Sequence, residues 1–160
     1  MVTFLLAALA LAAQAPATPA QRPTGVSLVD CRLGRINFET MRPEAETHRF
    51  VLLLGAPQGD RHAIEGPEQV RVFDPANLLM GHALESARYS DDPNMLFAQT
   101  NSDQPVHFRL AVSLPTSAAG LGMNGSGSQA EHMAHSYMGD CSIGEPADAA
   151  QRFEAMRAGQ

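Results

Sequence analysis

The sequence predicts an all-β domain, an antiparallel sandwich or small barrel of about seven or eight short strands with a short C-terminal helix. Three observations predict it. Short apolar or alternating runs recur along the chain, each bounded by Pro, Gly, Asn or Asp. One of them, from Val106 to Leu114, alternates strictly: Val106, Phe108, Leu110, Val112 and Leu114 against His107, Arg109, Ala111 and Ser113. No long amphipathic helix lies between the runs, which excludes a parallel α/β sheet.

The elements follow in order. Val26 to Phe38 places Val29, Cys31 and Leu33 on one face. Arg49 to Gly55, R-F-V-L-L-L-G, is continuously apolar and reads as a strand buried on both faces. The turn Pro57-Gln58-Gly59-Asp60 leads to a returning arm over Arg61 to Glu65. Val70 to Phe73 is a further short strand. Asp74 as N-cap and Pro75 at the first helical position then predict one or two helical turns. Ala83 to Tyr89 and Met95 to Thr100 read as strands around the turn S-D-D-P-N. Beyond the alternating strand, Thr116 to Gln129 is Gly/Ser-rich and reads as a long mobile loop. The segment A-E-H-M-A-H-S-Y-M-G-D-C, Ala130 to Cys141, reads as the last strand. The tail is different: Ala149, Phe153 and Met156 recur at i, i+4 and i+7 among helix formers.

The first twenty residues, MVTFLLAALALAAQAPATPA, carry no charged side chain. Phe4 to Ala13 is an apolar run of about ten residues, the length of a signal h-region and too short to span a bilayer. Ala10-Leu11-Ala12 and Ala15-Pro16-Ala17 offer small-residue cleavage sites. We read residues 1–20 as a signal peptide, 21–27 as a flexible tether, 28–145 as the β domain and 146–160 as a C-terminal helix or tail. The expected location is periplasmic or secreted, in a bacterium. No transmembrane segment is expected once the leader is removed.

Cys31 and Cys141 are the only cysteines, and outside the cytoplasm an isolated pair predicts a disulfide. No C-x-x-C redox spacing is present.

Charge and composition exclude several chemistries. The chain has 11 basic and 17 acidic side chains, net −6, which argues against nucleic acid or anionic lipid as a partner. All the basic residues are arginine. Without lysine there is no Schiff base, no Walker A lysine and no Ser-Lys dyad. The motif of Gly120, Gly122 and Gly125 matches a dinucleotide fingerprint only formally, because Pro115 interrupts and no βαβ unit can follow.

Candidate sites remain. The glycine-rich loop, with Gly120, Gly122, Asn124 and Gly125, is the first candidate interaction surface, because small β domains carry binding function on loops. His107 and Arg109, on the polar face of the alternating strand, could touch an anionic ligand. Met123, His132, Met133, His135 and Met138 form a His/Met cluster of the kind soft Cu(I) prefers. The simpler account of that segment is a strand that delivers Cys141 to Cys31. Glu44, Glu46 and His48 share one face if extended and could hold an ion or do acid–base work.

The leading functional expectation is an exported binding or interaction module with no cofactor and a protein partner in the cell envelope. The alternatives are a periplasmic copper-binding protein using the His/Met cluster, and a hydrolase centred on Glu44, Glu46 and His48.

Overall fold

Period-two alternation gives each strand an apolar face that has to be buried, and closing the sheet on itself buries all of them at once. The computed structural model, which describes residues 22–59, 62–91 and 94–159, shows this solution. The expected signal peptide lies outside the described residues. The strands are β1 (Ser27–Asn37), β2 (Arg42–Leu54), β3 (Ala63–Glu65), β4 (Val70–Phe73), β5 (Ser86–Ser90), β6 (Met95–Gln99), β7 (Val106–Ser113), β8 (Ala118–Gly125) and β9 (Tyr137–Gly144). Helix α1 (Gln129–Ala134) precedes β9, and α2 (Ala149–Ala158) ends the chain.

The strands form one nearly closed antiparallel sheet in the order β3-β5-β6-β7-β8-β9-β1-β2-β4. The seam lies between β3 and β4. Beside it the Gly55 N–H donates to the Gln69 carbonyl at 2.8 Å, extending the β2–β4 pairing, and Gln58, beyond β2, pairs with Ala63 of β3.

The interior is packed with the barrel's own side chains. Phe50, Leu52 and Leu54 of β2, Phe108, Leu110 and Val112 of β7 and Leu121 of β8 belong to one buried cluster. A buried polar pair also lies inside, Ser27 Oγ and Tyr89 OH at 3.2 Å. Burial raises the Tyr89 pKa, so its hydroxyl stays neutral.

β2 is buried on both faces, as its apolar run requires. Val51 and Leu53 point outward, and α2 covers them with Ala149 and Phe153. Arg71 stacks over the Phe153 ring at 5.1 Å and pairs with Glu154, fixing the helix to β4.

The structure corrects two elements at this stage. The expected helical turns after Asp74 are a run of tight turns. Asp74 does act as a cap, accepting from the N–H groups of Leu78 and Leu79 at 2.9 and 2.8 Å. Asn77 and Met80 then take φ of 56° and 53°, a left-handed conformation that no helix can propagate. Leu78, Leu79 and Leu84 of this segment insert into the core and plug one end of the barrel. Of the expected tether, residues 22–27 are held in place. Arg22 pairs with Asp91, the Thr24 N–H donates to Glu145 at 2.8 Å, and Ser27 begins β1 fully buried.

Cys31 and Cys141 are directly opposed in the β1–β9 register, with Cα atoms 4.0 Å apart, and form a disulfide on the inward face. Gly139 is required two residues before it, because a Cβ there would lie 1.8 Å from the Arg32 carbonyl oxygen. The disulfide spans 110 residues of chain. In the chain-entropy model a loop of that size stabilises the fold by about 4–5 kcal/mol. The Cys31→Ala, Cys141→Ala double variant should therefore lose about that much stability. Urea unfolding of the oxidised wild type and the variant measures it, and a loss near zero would contradict the assignment.

Candidate functional site

The outer face of β5 to β8 is the surface that the fold leaves open and chemically biased. None of the 17 acidic residues of the chain lies in these four strands. In the register of β5 and β6, Arg88 sits opposite Phe97, and in that of β6 and β7, Arg109 sits opposite Gln99. Both guanidiniums stack on the same ring, Arg109 at 4.3 Å and Arg88 at 5.7 Å from the Phe97 centroid. Such stacking is worth about 0.5–1 kcal/mol at an exposed site, and it fixes two long side chains in place. Neither arginine has a carboxylate partner among the described residues. Arg22, Arg49, Arg71 and Arg152 all have one.

The predicted glycine-rich loop borders this face, and here the structure makes a correction: most of that segment is β8. Ala119, Leu121 and Met123 alternate inward and are buried, while Gly120, Gly122 and Asn124 face outward. The period-two signal was present but half-hidden, because the outward positions hold glycine instead of a polar side chain. The register places Gly120 opposite Ala111, Gly122 opposite Arg109 and Asn124 opposite His107. Two separate expectations, the glycine segment and the His107–Arg109 pair, thus fall on one surface. A Cβ at Gly122 would meet nothing within 4 Å, so a bare strip of backbone runs beside Arg109. Gly125 ends the strand with φ 100°.

On the other side, a groove of about 650 Å³ is lined by Arg88, Phe97, Gln99, Glu65, His62 and Asp91, among others. Arg88 and Phe97 were missed in the sequence. Each sits on the outward phase of a five-residue strand, too short for alternation to stand out.

The expected last strand from Ala130 is also corrected. Gln129 to Ala134 is helix α1, and the strand starts at Tyr137. The cause is a capping box: the Glu131 N–H donates to Ser128 Oγ at 3.2 Å, and the Ser128 N–H donates to the Glu131 carboxylate at 2.6 Å. The S-x-x-E spacing was the legible signal. His135 caps the C-terminal end.

The His/Met residues do not all converge. Met123 is inward and buried, whereas Met138 is on the outer face of β9 and 40% exposed. Ring nitrogens of His107, His132 and His135 are shut off from solvent without a hydrogen-bond partner. Glu44 and Glu46 lie in the part of β2 where the register with β1 shifts, and His48 lies just beyond it, opposite Leu33. Both carboxylates are exposed, and His48 packs edge-on against Tyr137 at 6.4 Å. Among the described residues no three His, Cys, Asp or Glu side chains come together as a metal site.

Compared with family models, curated proteins and solved structures, the chain finds no match.

The capping box has a pH dependence. The Ser128 N–H, then its hydroxyl, hold the Glu131 carboxyl below its ordinary value. A lowered folded-state pKa stabilises above the unfolded value and is lost as pH falls through the folded one. The protection factors of the α1 amides, taken relative to intrinsic exchange at each pH, should therefore fall on acidification before those of the strands do. Glu131→Gln, which can still close the box, should flatten that dependence. Equal pH profiles for the two proteins by NMR would contradict this account.

Proposed function

We propose that this protein is exported and works as a binding module, docking an acidic segment of a cell-envelope protein on the outer face of β5–β8. The observation that carries the reading is Phe97 held between Arg88 and Arg109, neither of them neutralised, on strands without a carboxylate. The barrel interior is filled with side chains, so a ligand has to be met on the outside. The bare backbone at Gly120 and Gly122 lets another chain approach closely. A net charge of −6 opposes a broad anionic surface such as a membrane but not a short acidic segment that meets a local positive patch. Export is supported by the charge-free, apolar first twenty residues and by the Cys31–Cys141 disulfide.

Titrating the isotope-labelled protein with a glutamate-rich peptide should shift the resonances of Arg88, Phe97, Arg109 and Gly122. The Arg88→Glu, Arg109→Glu double variant should bind at least about tenfold more weakly, or 1.4 kcal/mol. A glutamine-rich control peptide should give no shifts. Absence of shifts, or equal binding by the variant, would refute the docking surface. Cell fractionation tests export independently. The protein should be recovered outside the cytoplasm without its first residues and with no alkylatable thiol. A cytoplasmic product with two free thiols would overturn it.

A further inference from the structure

One end of the barrel carries a second, unrelated chemistry. His82, from the turn segment that plugs this end, packs on Phe108 with ring centroids 5.7 Å apart. His135, the C-cap of α1, packs on the same ring at 6.4 Å, edge-on. Phe108 is paired across β7 and β8 with Met123, and both face inward. Directly opposed residues on one face of an antiparallel pair have Cβ atoms about 4.5–5.5 Å apart. Two imidazoles therefore pack on one aromatic ring whose cross-strand neighbour carries a thioether.

His135 Nδ1 is closed off from solvent and has no hydrogen-bond partner. A buried polar atom left unpaired carries its full desolvation cost, so a partner is expected to offset it. Helix α1 buries no residue fully, so apolar packing contributes little to holding it over the barrel end. A ligand that bridges His135 to the barrel would satisfy the nitrogen and fix the helix together.

The donor set decides which ligand. No three His, Cys, Asp or Glu side chains meet among the described residues, which disfavours Zn²⁺ and other ions that take three or four nitrogen, oxygen or thiolate donors. Thioether and imidazole suit a soft monovalent ion, which is satisfied by few ligands. We propose that this end of the barrel binds one soft monovalent ion of the Cu(I) class through His82, Met123 and His135. Met138 takes no part, because it faces the opposite side of the sheet. His132 takes no part either: its Nε2 is turned toward Gly127, where a Cβ would lie 3.1 Å away.

Silver(I) is the probe, because it mimics Cu(I) without a reductant and leaves the disulfide intact. One equivalent of Ag(I) added to the oxidised full-length protein should shift His82, Phe108, Met123 and His135 in NMR spectra. Zn²⁺ at the same concentration should not shift them. Met123→Leu, which preserves volume, and His135→Gln should each weaken Ag(I) binding at least tenfold in competition titrations while keeping a folded spectrum. The wild-type titration maps the site even if a variant fails to fold. Three results would overturn the proposal: no shifts at one equivalent, shifts confined to the exposed Met41, Met80 and Met138, or full affinity in both variants.

Discussion

The pairing of β1 with β9 is the constraint on which the structure depends. These strands come from opposite ends of the described chain, yet they are neighbours in the middle of the sheet. Every contact between them closes a long loop, and loop closure has to be met before such contacts reward folding. The Cys31–Cys141 bond fixes this junction covalently, at the point where the two strands face each other directly. On one side of it lie β2, β4 and the helix α2. On the other lies the meander of β3, β5, β6, β7 and β8. Without the junction these are two incomplete sheets, each with an apolar face open to water.

With the junction in place, the two faces of the sheet divide the work. Inward positions hold mainly aliphatic and aromatic side chains, with the disulfide, Met123 and the Ser27–Tyr89 pair among them. Outward positions differ around the circumference. Where α2 lies on the sheet they are apolar, as at Leu28, Val51, Leu53 and Phe73. Over β5 to β8 they include Arg88, Arg109 and the stacked Phe97, with Gln99, His107, Gly120, Gly122 and Asn124 beside them, and no described helix packs over Phe97. In a chain that is acidic overall, leaving two arginines unpaired gives up the modest gain of surface ion pairs. The same absence leaves both guanidiniums open to an incoming carboxylate. The stacking on Phe97 matters here because it orders both guanidiniums in advance, which lowers the entropy lost on binding.

The legible part of the fold was the part where alternation is complete. The run Val106 to Leu114 carries five apolar residues at strict period two, and four of them, Phe108, Leu110, Val112 and Leu114, are buried. The run Phe50 to Leu54 demanded cover on both faces, and α2 supplies it through Ala149 and Phe153. The cysteine pair was readable from its isolation. What escaped was local. In β8 the outward phase is glycine, so a strand had the composition of a linker. In α1 the helix is decided by the capping pair Ser128 and Glu131, a signal of two residues that the period of the apolar positions does not carry. At Asp74 the cap was visible, but the left-handed Asn77 and Met80 that end it were not. The outer platform escaped for a different reason. Arg88, Phe97 and Arg109 are far apart in sequence and meet only through the registers of β5, β6 and β7, which no single segment encodes.

β8 links the two proposed sites, and it does so through its pleat. Gly122 faces out beside Arg109, and the next residue, Met123, faces in beside Phe108. A strand with bare backbone on one face and Ala119, Leu121 and Met123 on the other has little on its outer side to hold its register. The inner side has to do this alone, through packing in the core and through the bonds to β7 and β9. A slip of one residue would turn the glycines inward, leave voids in the core, and carry leucine and methionine out onto the arginine face. It would remove the open backbone strip and the thioether together. The close packing around Leu121 therefore acts at a distance: it keeps the outer surface flat and keeps the methionine at the barrel end facing the core.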